Sequence, residues 1–374
     1  MSSYPIKAVV EYPLPPAAQT HEVLAVSDSL LVISQQTDGS LVKVALNNNG
    51  QPTGARKWTP TSRWSGLHGL ALHRSRGSVY VPTVWATVQF DNAILQIDPN
   101  GNDINSEPQV KRTIPIPSPA FGPHSILEND GYLWVTCKDS SHVVRIKIAD
   151  LTSKVWAVSR QPIFVAVHPR SGNVFATLDL SNKIWVYKND GGNCEEIAIP
   201  PEKGSIPVGM IAGADGNVWV VLLGNQTTGT GTFGRINKDD SIDWFTMFSA
   251  IGSTASLIHL AFDRDPTQFW LLGSSVSSPS AVNAIFTVKI DDTSTGGTAS
   301  PRIAIQNTIA LPTQRSASHR VIFHKGSLYI TELATSTLAH VSGAAVNGLS
   351  VSETWDQYSD YGSSWKEQVV IYNN

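Results

Sequence analysis

The sequence His-Ser-Ile-Leu-Glu-Asn-Asp-Gly-Tyr-Leu-Trp-Val-Thr, at residues 124–136, predicts a β-hairpin. Apolar side chains alternate on either side of Asp130-Gly131, and glycine adopts the positive φ that a tight hairpin turn requires. The same pattern, an apolar run, a short turn and an aromatic residue among β-branched ones, recurs seven times along the chain. A pattern repeated at this length indicates a repeat architecture rather than a series of unrelated elements.

Further strands follow each hairpin. The seven hairpins run from His21 to Ile33, His68 to Val81, His124 to Thr136, Ile163 to Phe175, Val208 to Val220, Ile258 to Trp270 and His319 to Ile330. Third strands are predicted at Leu41–Val44, Ala93–Ile97, Val143–Ile146, Lys183–Tyr187, Phe233–Ile236, Ala284–Val288 and Thr337–Val341. A fourth strand ends in proline at Thr113–Pro117, Ile197–Pro200 and Thr308–Pro312, which is typical of edge strands because proline cannot donate to a ladder.

Four strands in each of seven units predict an all-β, seven-bladed β-propeller with antiparallel blades, forming a single domain over residues 1–374. We expect the chain termini to close the ring. Ala8–Pro13 resembles a fourth strand without a unit of its own, and would complete the last blade. Gln368–Tyr372 is the competing choice, and the sequence leaves both open. Residues 352–374 form a tail outside the repeat, of which Ser352–Trp365 is expected to pack over one face.

The charge and apolar content of the chain limit the kinds of partner that it can bind. The chain has 27 Lys and Arg against 30 Asp and Glu, a formal net charge of -3, which argues against nucleic acid or an anionic membrane as a partner. The N-terminal region has no continuous apolar segment, and no stretch is long and apolar enough to span a bilayer. We therefore expect a cytoplasmic protein. Its two cysteines, Cys137 and Cys194, are too few for a disulfide framework.

One face of the propeller is predicted to hold the functional site. The start of the innermost strand and the end of the second strand lie together on that face. The first position of the innermost strand is occupied, unit by unit, by His21, His68, His124, Ile163, Val208, Ile258 and His319. In a closed ring the four histidines belong to consecutive blades, 7-1-2-3, and face an apolar arc in blades 4–6. This split mouth suits a small, apolar, ring-bearing substrate. The alternative is that each histidine binds a neighbouring carbonyl and locks adjacent blades together.

Other residues are expected around this mouth. The ends of the second strands contribute Gln35, Trp85, Cys137, Asp179 and Glu332, and the incoming loops contribute Trp64, Phe121, Phe164 and Arg315, while His259 follows Ile258 by one position. Glu332 belongs to the same blade as His319, where a carboxylate can orient an imidazole or share its proton. The alternative is a solvated loop charge. The aromatic residues and Arg315 suit a ring-bearing ligand.

Several kinds of chemistry have no motif in this chain. There is no phosphate-binding glycine loop, nucleophile elbow, His-Glu-x-x-His motif or paired-cysteine zinc spacing. We therefore expect no cofactor and no metal. A propeller channel can still collect one ligand per blade, a pattern that spacing rules do not detect.

Two phrases resemble the repeat of virginiamycin B lyase-like propellers: Gly122-Pro-His-Ser-Ile126 with Asp130–Thr136, and Ile206-Pro-Val-Gly-Met210 with Ala214–Trp219. That family opens a cyclic depsipeptide lactone by elimination, with Mg²⁺. The resemblance implies that His319 corresponds to its catalytic histidine and Glu332 to one metal carboxylate. The family has a second acid two positions before that histidine, where this chain has Ala317.

The whole-chain arrangement is also similar to a fungal branch of such propellers in secondary metabolism. The branch includes Tri-14-like proteins of trichothecene biosynthesis and hetero-Diels-Alderases that join humulene to a tropolone. This resemblance implies a cofactor-independent cyclase or pericyclase of terpenoid-polyketide metabolism, with acid/base assistance from His319, Glu332, His124, His68 and His21. Two alternatives remain: a metal-dependent C–O lyase, and a non-catalytic scaffold that binds a protein on the same face. The substrate and the oligomeric state stay open.

Overall fold

Seven antiparallel sheets form the blades of a β-propeller, which confirms the predicted fold class. The computed structural model describes residues 8–73, 82–224, 228–248, 252–278, 280–291, 301–346 and 369–371. The innermost strands of successive blades contact one another around the whole ring, with the last blade returning to the first. This closure places the seven innermost strands around one central channel.

The strands follow in blade order, after β1 (Val9–Pro13). Blade 1 contains β2 (Thr20–Ser27), β3 (Leu30–Gln35), β4 (Ser40–Leu46) and β5 (Pro52–Trp58). Blade 2 contains β6 (Leu67–His73), β7 (Thr83–Val88), β8 (Ala93–Asp98) and β9 (Gln109–Pro115). Blade 3 contains β10 (Pro123–Asn129), β11 (Tyr132–Cys137), β12 (His142–Lys147) and β13 (Ser153–Ala157). Blade 4 contains β14 (Pro162–Val167), β15 (Val174–Leu178), β16 (Lys183–Tyr187) and β17 (Cys194–Ala198).

Blade 5 contains β18 (Pro207–Ala212), β19 (Val218–Leu222), β20 (Thr232–Ile236) and β21 (Ile242–Thr246). Blade 6 contains β22 (Leu257–Phe262), β23 (Gln268–Gly273), β24 (Ala284–Asp291) and β25 (Arg302–Ala310). Blade 7 contains β26 (Ser318–His324), β27 (Ser327–Glu332) and β28 (Thr337–Val341), and β29 is Val369–Ile371. The described helices are one α-helical turn, Gly343–Val346, and the 3₁₀ turns Asp179–Ser181, Pro201–Lys203 and Gly252–Thr254. None of these helices is long and apolar enough to cross a lipid bilayer.

The N-terminal strand closes the ring. β1 pairs with β28 in antiparallel register, from Val9 opposite Val341 to Pro13 opposite Thr337, and so supplies the fourth strand of blade 7. The competing C-terminal segment instead adds β29 to β5, at the outer edge of blade 1. The expected packing of Ser352–Trp365 over one face lies outside the described residues.

The second strand of blade 2 differs from the prediction. Val79–Val81, expected to form this strand, lies outside the described residues, and the strand that pairs with β6 is β7. Trp85 is therefore in the middle of the strand, opposite Ala71, rather than at its outgoing end. Its buried indole donates to the Glu128 carboxylate at 2.6 Å and contacts His73 at the other end of β6. The prediction that Trp85 lines the mouth is wrong, because the strand begins later than its aromatic pattern indicated.

A register shift recurs at the start of all seven innermost strands. In β6, for example, Leu67 pairs with Val88 and the next paired residue is Leu70, so His68 and Gly69 form a bulge. Equivalent shifts follow Thr20, Pro123, Pro162, Pro207, Leu257 and Ser318. A bulge changes the direction in which side chains point at the rim of a sheet. In this propeller it sets the direction of the residues that begin each innermost strand.

Hydroxyl groups on the second strands join neighbouring blades beside these bulges. Thr136 accepts from the Ser125 amide in its own blade at 3.0 Å and donates to the Ile163 carbonyl of the next blade at 2.9 Å. Ser34, Thr87, Thr177 and Thr331 make the same pair of hydrogen bonds in their blades. Blades 5 and 6 have Val221 and Leu272 on this strand instead. The hydroxyl contacts thus follow the polar side of the channel and extend into blade 4.

Replacing Thr136 with valine is expected to lower the free energy of unfolding by about 1–3 kcal/mol, because the buried Ser125 amide loses its partner and the Ile163 carbonyl keeps only Nδ1 of His124. Thr136→Ser retains the hydroxyl and is the matched control. Urea denaturation of the two variants beside the wild type measures the difference. Equal stability of Thr136→Val and Thr136→Ser would show that this hydroxyl contributes nothing to holding the blades together.

Candidate active site

The structure brings the four predicted histidines together at the channel. The ring centroids of His21 and His68 lie 4.2 Å apart, those of His68 and His124 lie 4.0 Å apart, and those of His21 and His319 lie 4.6 Å apart. His21, His68 and His124 are buried, whereas His319 is partly exposed. The rings are in contact across blades 7-1-2-3, so this side of the channel is filled by imidazole.

The opposite side of the channel is apolar. Ile163, Val208 and Ile258 occupy the equivalent bulge positions in blades 4–6, and all three are buried. The next residue along two of these bulges is Phe164 or His259, and their ring centroids lie 5.4 Å apart. The predicted split between a histidine arc and an apolar arc is therefore present in the structure, with His259 as a fifth imidazole on the apolar side.

Burial keeps all five imidazoles neutral. It lowers the pKa of His21 to about 3, and the Arg320 guanidinium lowers it further. Burial also holds the pKa of His68, His124, His259 and His319 well below the usual value of 6.5. These side chains are therefore neutral proton acceptors at neutral pH.

Backbone carbonyls orient three of the imidazoles. Nδ1 of His68 lies 3.2 Å from the His124 carbonyl, and Nδ1 of His124 lies 3.1 Å from the Ile163 carbonyl. Nδ1 of His259 lies 3.2 Å from the Val321 carbonyl. A carbonyl only accepts, which assigns the ring proton of His68 and of His124 to Nδ1 and leaves a lone pair on Nε2. Nδ1 of His259 also lies 3.5 Å from the Val321 amide, which donates. These contacts are the locks between blades that were the alternative interpretation, and they also prepare Nε2 to accept a proton.

An ion pair missed by the sequence interpretation lies at the channel where blade 7 meets blade 1. Arg320 in blade 7 is buried, and its guanidinium binds the Glu22 carboxylate of blade 1 at 2.6 Å. The same guanidinium stacks on the Phe164 ring of blade 4, 3.9 Å from the ring centroid. Arg320 and Glu22 each follow a channel histidine by one residue. The rule that located His259 one position after Ile258 would have found them.

Glu332 does not pair with His319. It is fully buried, and its carboxyl oxygens accept hydrogen bonds from the hydroxyls of Ser316, at 2.7 Å, and Thr337. In the β-ladder Glu332 lies opposite Ser318, and Nε2 of His319 instead faces Nδ1 of His21 at 2.9 Å. The expectation that Glu332 orients His319 or shares its proton is therefore wrong.

The residues of blade 7 also do not fit the Mg²⁺ that the lyase resemblance implies. Mg²⁺ requires charged, accessible oxygen ligands. Burial and the neighbouring Glu11 carboxylate raise the pKa of Glu332 to about 8, so its carboxyl group is protonated at neutral pH. Ala317 stands where the family has its second acid. We derive no step through Mg²⁺.

Glu332 is expected to make stability fall as the pH rises from about 4.5 to about 8. Its folded-state pKa is about 8 against an ordinary value of 4.5, so the unfolded chain releases this proton first and alkali favours unfolding. The buried imidazoles act in the opposite direction, since below pH 6.5 only the unfolded chain takes up their protons. Urea titrations of wild type and Glu332→Gln from pH 5 to 9 isolate the carboxyl contribution. Parallel pH profiles for the two proteins would contradict it.

The remaining predicted residues surround the mouth or lie beneath it. Trp64 and Phe121 are 66% and 47% exposed on the loops leading into β6 and β10, and Arg315 is exposed on the loop before β26. Phe164 lies at the channel itself. Gln35 and Cys137 are fully buried at their strand ends. Asp179 follows the end of β15 by one residue, and burial raises its pKa.

A polar chain at the rim was not predicted. Nε2 of Gln36 donates to Oε1 of Gln89 at 2.5 Å, and Nε2 of Gln89 donates to Asp139 at 3.1 Å. Gln36 and Gln89 each follow the end of a second strand by one residue, as Asp179 does. Aligning that position through the repeat would have revealed them. The chain covers blades 1–3, above the histidine arc.

Comparison with known proteins relates the chain to other propellers through its fold. No family model and no curated protein matches the sequence. Among solved structures, a streptogramin B lyase matches with a TM-score of 0.65 and 18% identity, covering 89% of this chain and 96% of that chain. A catalytically inactive virginiamycin B lyase from Staphylococcus aureus, with quinupristin, matches with a TM-score of 0.66 and 16% identity over 89% of this chain and 98% of that chain. At these identities the likeness shows the fold alone: a seven-bladed propeller related in structure to virginiamycin B lyase.

Proposed function

We propose that the protein is a cofactor-independent cyclase or pericyclase that binds small, apolar, ring-bearing substrates at the histidine side of the central channel. One observation carries this proposal: neutral imidazoles whose Nδ1 protons are bound by carbonyls, with Nε2 left as a lone pair, share the channel with an apolar arc of blades 4–6. Such a site offers proton acceptors and apolar surface, which is what a cyclisation of an enolic precursor requires.

The reaction that we propose is an intermolecular hetero-Diels-Alder addition of fungal terpenoid-polyketide metabolism. A tropolone bearing a hydroxymethyl group loses water to give a quinone methide. An imidazole Nε2 takes the proton of the enolic hydroxyl while the C–O bond of the hydroxymethyl group breaks, and the leaving hydroxide takes that proton to form water. The quinone methide then adds to an alkene such as humulene, forming one C–C and one C–O bond with no further proton transfer.

The depressed pKa of the imidazoles favours the second half of this sequence, because it makes each imidazole a weak base whose protonated form gives up its proton readily. An imidazole protonated in the channel is a strong acid, because burial and the nearby Arg320 cation both disfavour its charge. It therefore returns the proton rapidly to the leaving hydroxide. Among the five imidazoles, His124 and His68 suit this role best, since each has its Nδ1 proton held by a carbonyl.

The apolar arc and the aromatic rim supply the second part of catalysis. The alkene partner is apolar, and Ile163, Val208 and Ile258 give this side of the channel the same character. Holding diene and alkene in contact removes the entropy cost of their encounter, which can contribute about 7–11 kcal/mol toward the barrier. Trp64 and Phe121 at the rim present aromatic surface to an approaching ring-bearing substrate.

A substrate panel tests this proposal. Tropolones with a hydroxymethyl group, sesquiterpenes and cyclic lactones are each incubated with the full-length protein, singly and in pairs. Thermal shift and product formation are then measured. We expect a stereochemically defined adduct only from the tropolone-sesquiterpene pair, unaffected by EDTA. Opening of a lactone that EDTA abolishes would favour the metal-dependent lyase, and a co-purified protein with no small-molecule binding would favour the scaffold.

A further inference from the structure

We infer that His21, His68 and His319 form a binding site for one late first-row divalent cation, such as Zn²⁺. One nitrogen from each imidazole lies within 4.8 Å of the nitrogens offered by the other two. The three residues come from blades 7, 1 and 2, so the set is assembled only when the ring closes. This inference does not rest on the proposed function, because it concerns binding of an ion in the absence of substrate.

The separations suit a small ion. Two nitrogens that bind Zn²⁺ at about 2.0–2.1 Å with a tetrahedral angle lie about 3.3–3.4 Å apart. The observed separations are 2.9 Å between Nδ1 of His21 and Nε2 of His319, and at most 4.8 Å across the set. These values lie on either side of the required one. Rotation of the three rings is what the site requires to bring these separations to the value for Zn²⁺.

The three imidazoles are already in the form that binds metals. A metal ligand must offer a lone pair, and burial keeps each of these rings neutral at ordinary pH. His68 donates its Nδ1 proton to the His124 carbonyl, which leaves Nε2 for an ion. A second hydrogen bond of this kind is typical of metal-bound histidine, since it fixes the orientation of the ring.

The contact between His21 and His319 is poorly satisfied without an ion. When one ring donates to the other, Nδ1 of His319 is left buried without a hydrogen-bond partner, whereas the Gln36 side chain can hydrogen-bond to His21. Nδ1 of His319 then carries either a proton with no acceptor or an unused lone pair, which is unfavourable in a buried group. An ion held between the facing nitrogens replaces this weak contact with two strong bonds.

The donor set selects the kind of ion. Three imidazoles favour Zn²⁺, Cu²⁺ or Ni²⁺, whereas Mg²⁺ and Ca²⁺ prefer oxygen ligands. Three protein ligands leave a tetrahedral ion one position for water or for an oxygen of a substrate. The Arg320 guanidinium would repel a bound cation, and the Glu22 carboxylate that binds this guanidinium offsets the repulsion. His124 is outside the ligand set.

Metal titration of the full-length protein tests the inference. After chelator treatment, Co²⁺ and then Zn²⁺ are titrated, and bound metal is counted by elemental analysis after dialysis. We expect one ion per chain, visible absorption bands of low-coordinate Co²⁺ that Zn²⁺ abolishes, and no saturable binding of Mg²⁺. Wild-type protein that binds neither Co²⁺ nor Zn²⁺ saturably would overturn the inference without any variant.

Two variants locate the ion. His319→Gln removes a proposed ligand, and His259→Gln removes another channel imidazole that is outside the set. Since loss of a group that only orients a metal ligand costs about 10–100-fold in affinity, we expect His319→Gln to weaken Co²⁺ binding at least tenfold. His259→Gln should leave the affinity unchanged. Equal affinity in both variants would place the ion elsewhere and overturn the site. Because His124 is no ligand, metal binding and the proposed base catalysis can fail separately.

Discussion

Glu22→Ala is expected to lower the free energy of unfolding by about 3–5 kcal/mol, because it leaves a buried cation without its partner. The side chain of Arg320 is 2% exposed, and its guanidinium binds the Glu22 carboxylate across the junction where blade 7 meets blade 1. Water has little access to replace that carboxylate. Urea denaturation at neutral pH, followed by intrinsic tryptophan fluorescence, measures the loss.

The double variant Glu22→Leu with Arg320→Met is the matched control. It removes both charges and keeps apolar volume against Phe164, so much of the stability lost in Glu22→Ala should return. A buried ion pair replaced by packed apolar side chains is often neutral in stability. If Glu22→Ala lost less than about 1 kcal/mol, the guanidinium would have to find another acceptor in the channel. Arg320→Met should also raise the pKa of the channel imidazoles, for which this cation is a lowering influence.

The fold was predictable because each blade repeats the same local rules. Alternating apolar residues around a short turn occur in all seven units, while Asp-Gly turns and edge prolines occur in some of them, so an error in one unit did not change the count. In blade 2 the predicted second strand was misplaced. The blade itself was still predicted correctly, because its third strand was recognised at Ala93–Ile97. The closing strand was undecided because two apolar segments near the chain ends had the same pattern. Only pairing with β28 distinguishes them.

The histidine arc was predictable, and its surroundings were not, for one physical reason. The bulge at the start of every innermost strand adds a residue that no alternation of apolar and polar side chains reveals. In a regular strand Arg320 would turn away from the face that His319 occupies. With the bulge, both lie at the channel, and Glu332 is placed opposite Ser318 rather than His319. The register of the strands therefore places the Glu22 carboxylate at the channel, where it binds Arg320, and keeps Glu332 away from His319.

His124→Asn is expected to reduce turnover of the tropolone-sesquiterpene pair by about 10²–10⁴-fold with little effect on stability. The asparagine amide can still donate to the Ile163 carbonyl, as Nδ1 of His124 does, but no lone pair remains at the position of Nε2. Loss of a positioned general base costs a factor of this size. Steady-state kinetics should show the change in kcat, with KM nearly constant.

A control outside the channel separates this base from a structural histidine. His168 is also buried, but it follows the far end of β14, where its Nδ1 accepts from the amides of Arg170 and Ser171. His168→Asn should leave kcat unchanged.

Turnover by His124→Gly should be partly rescued by imidazole added in solution, since the free base can enter the space that the side chain vacates. Rescue without stabilisation identifies proton transfer as the lost function, because a lock between blades would be restored only together with stability. Full turnover by His124→Asn would instead assign the proton transfer to another imidazole, and His68 would be the next residue to substitute.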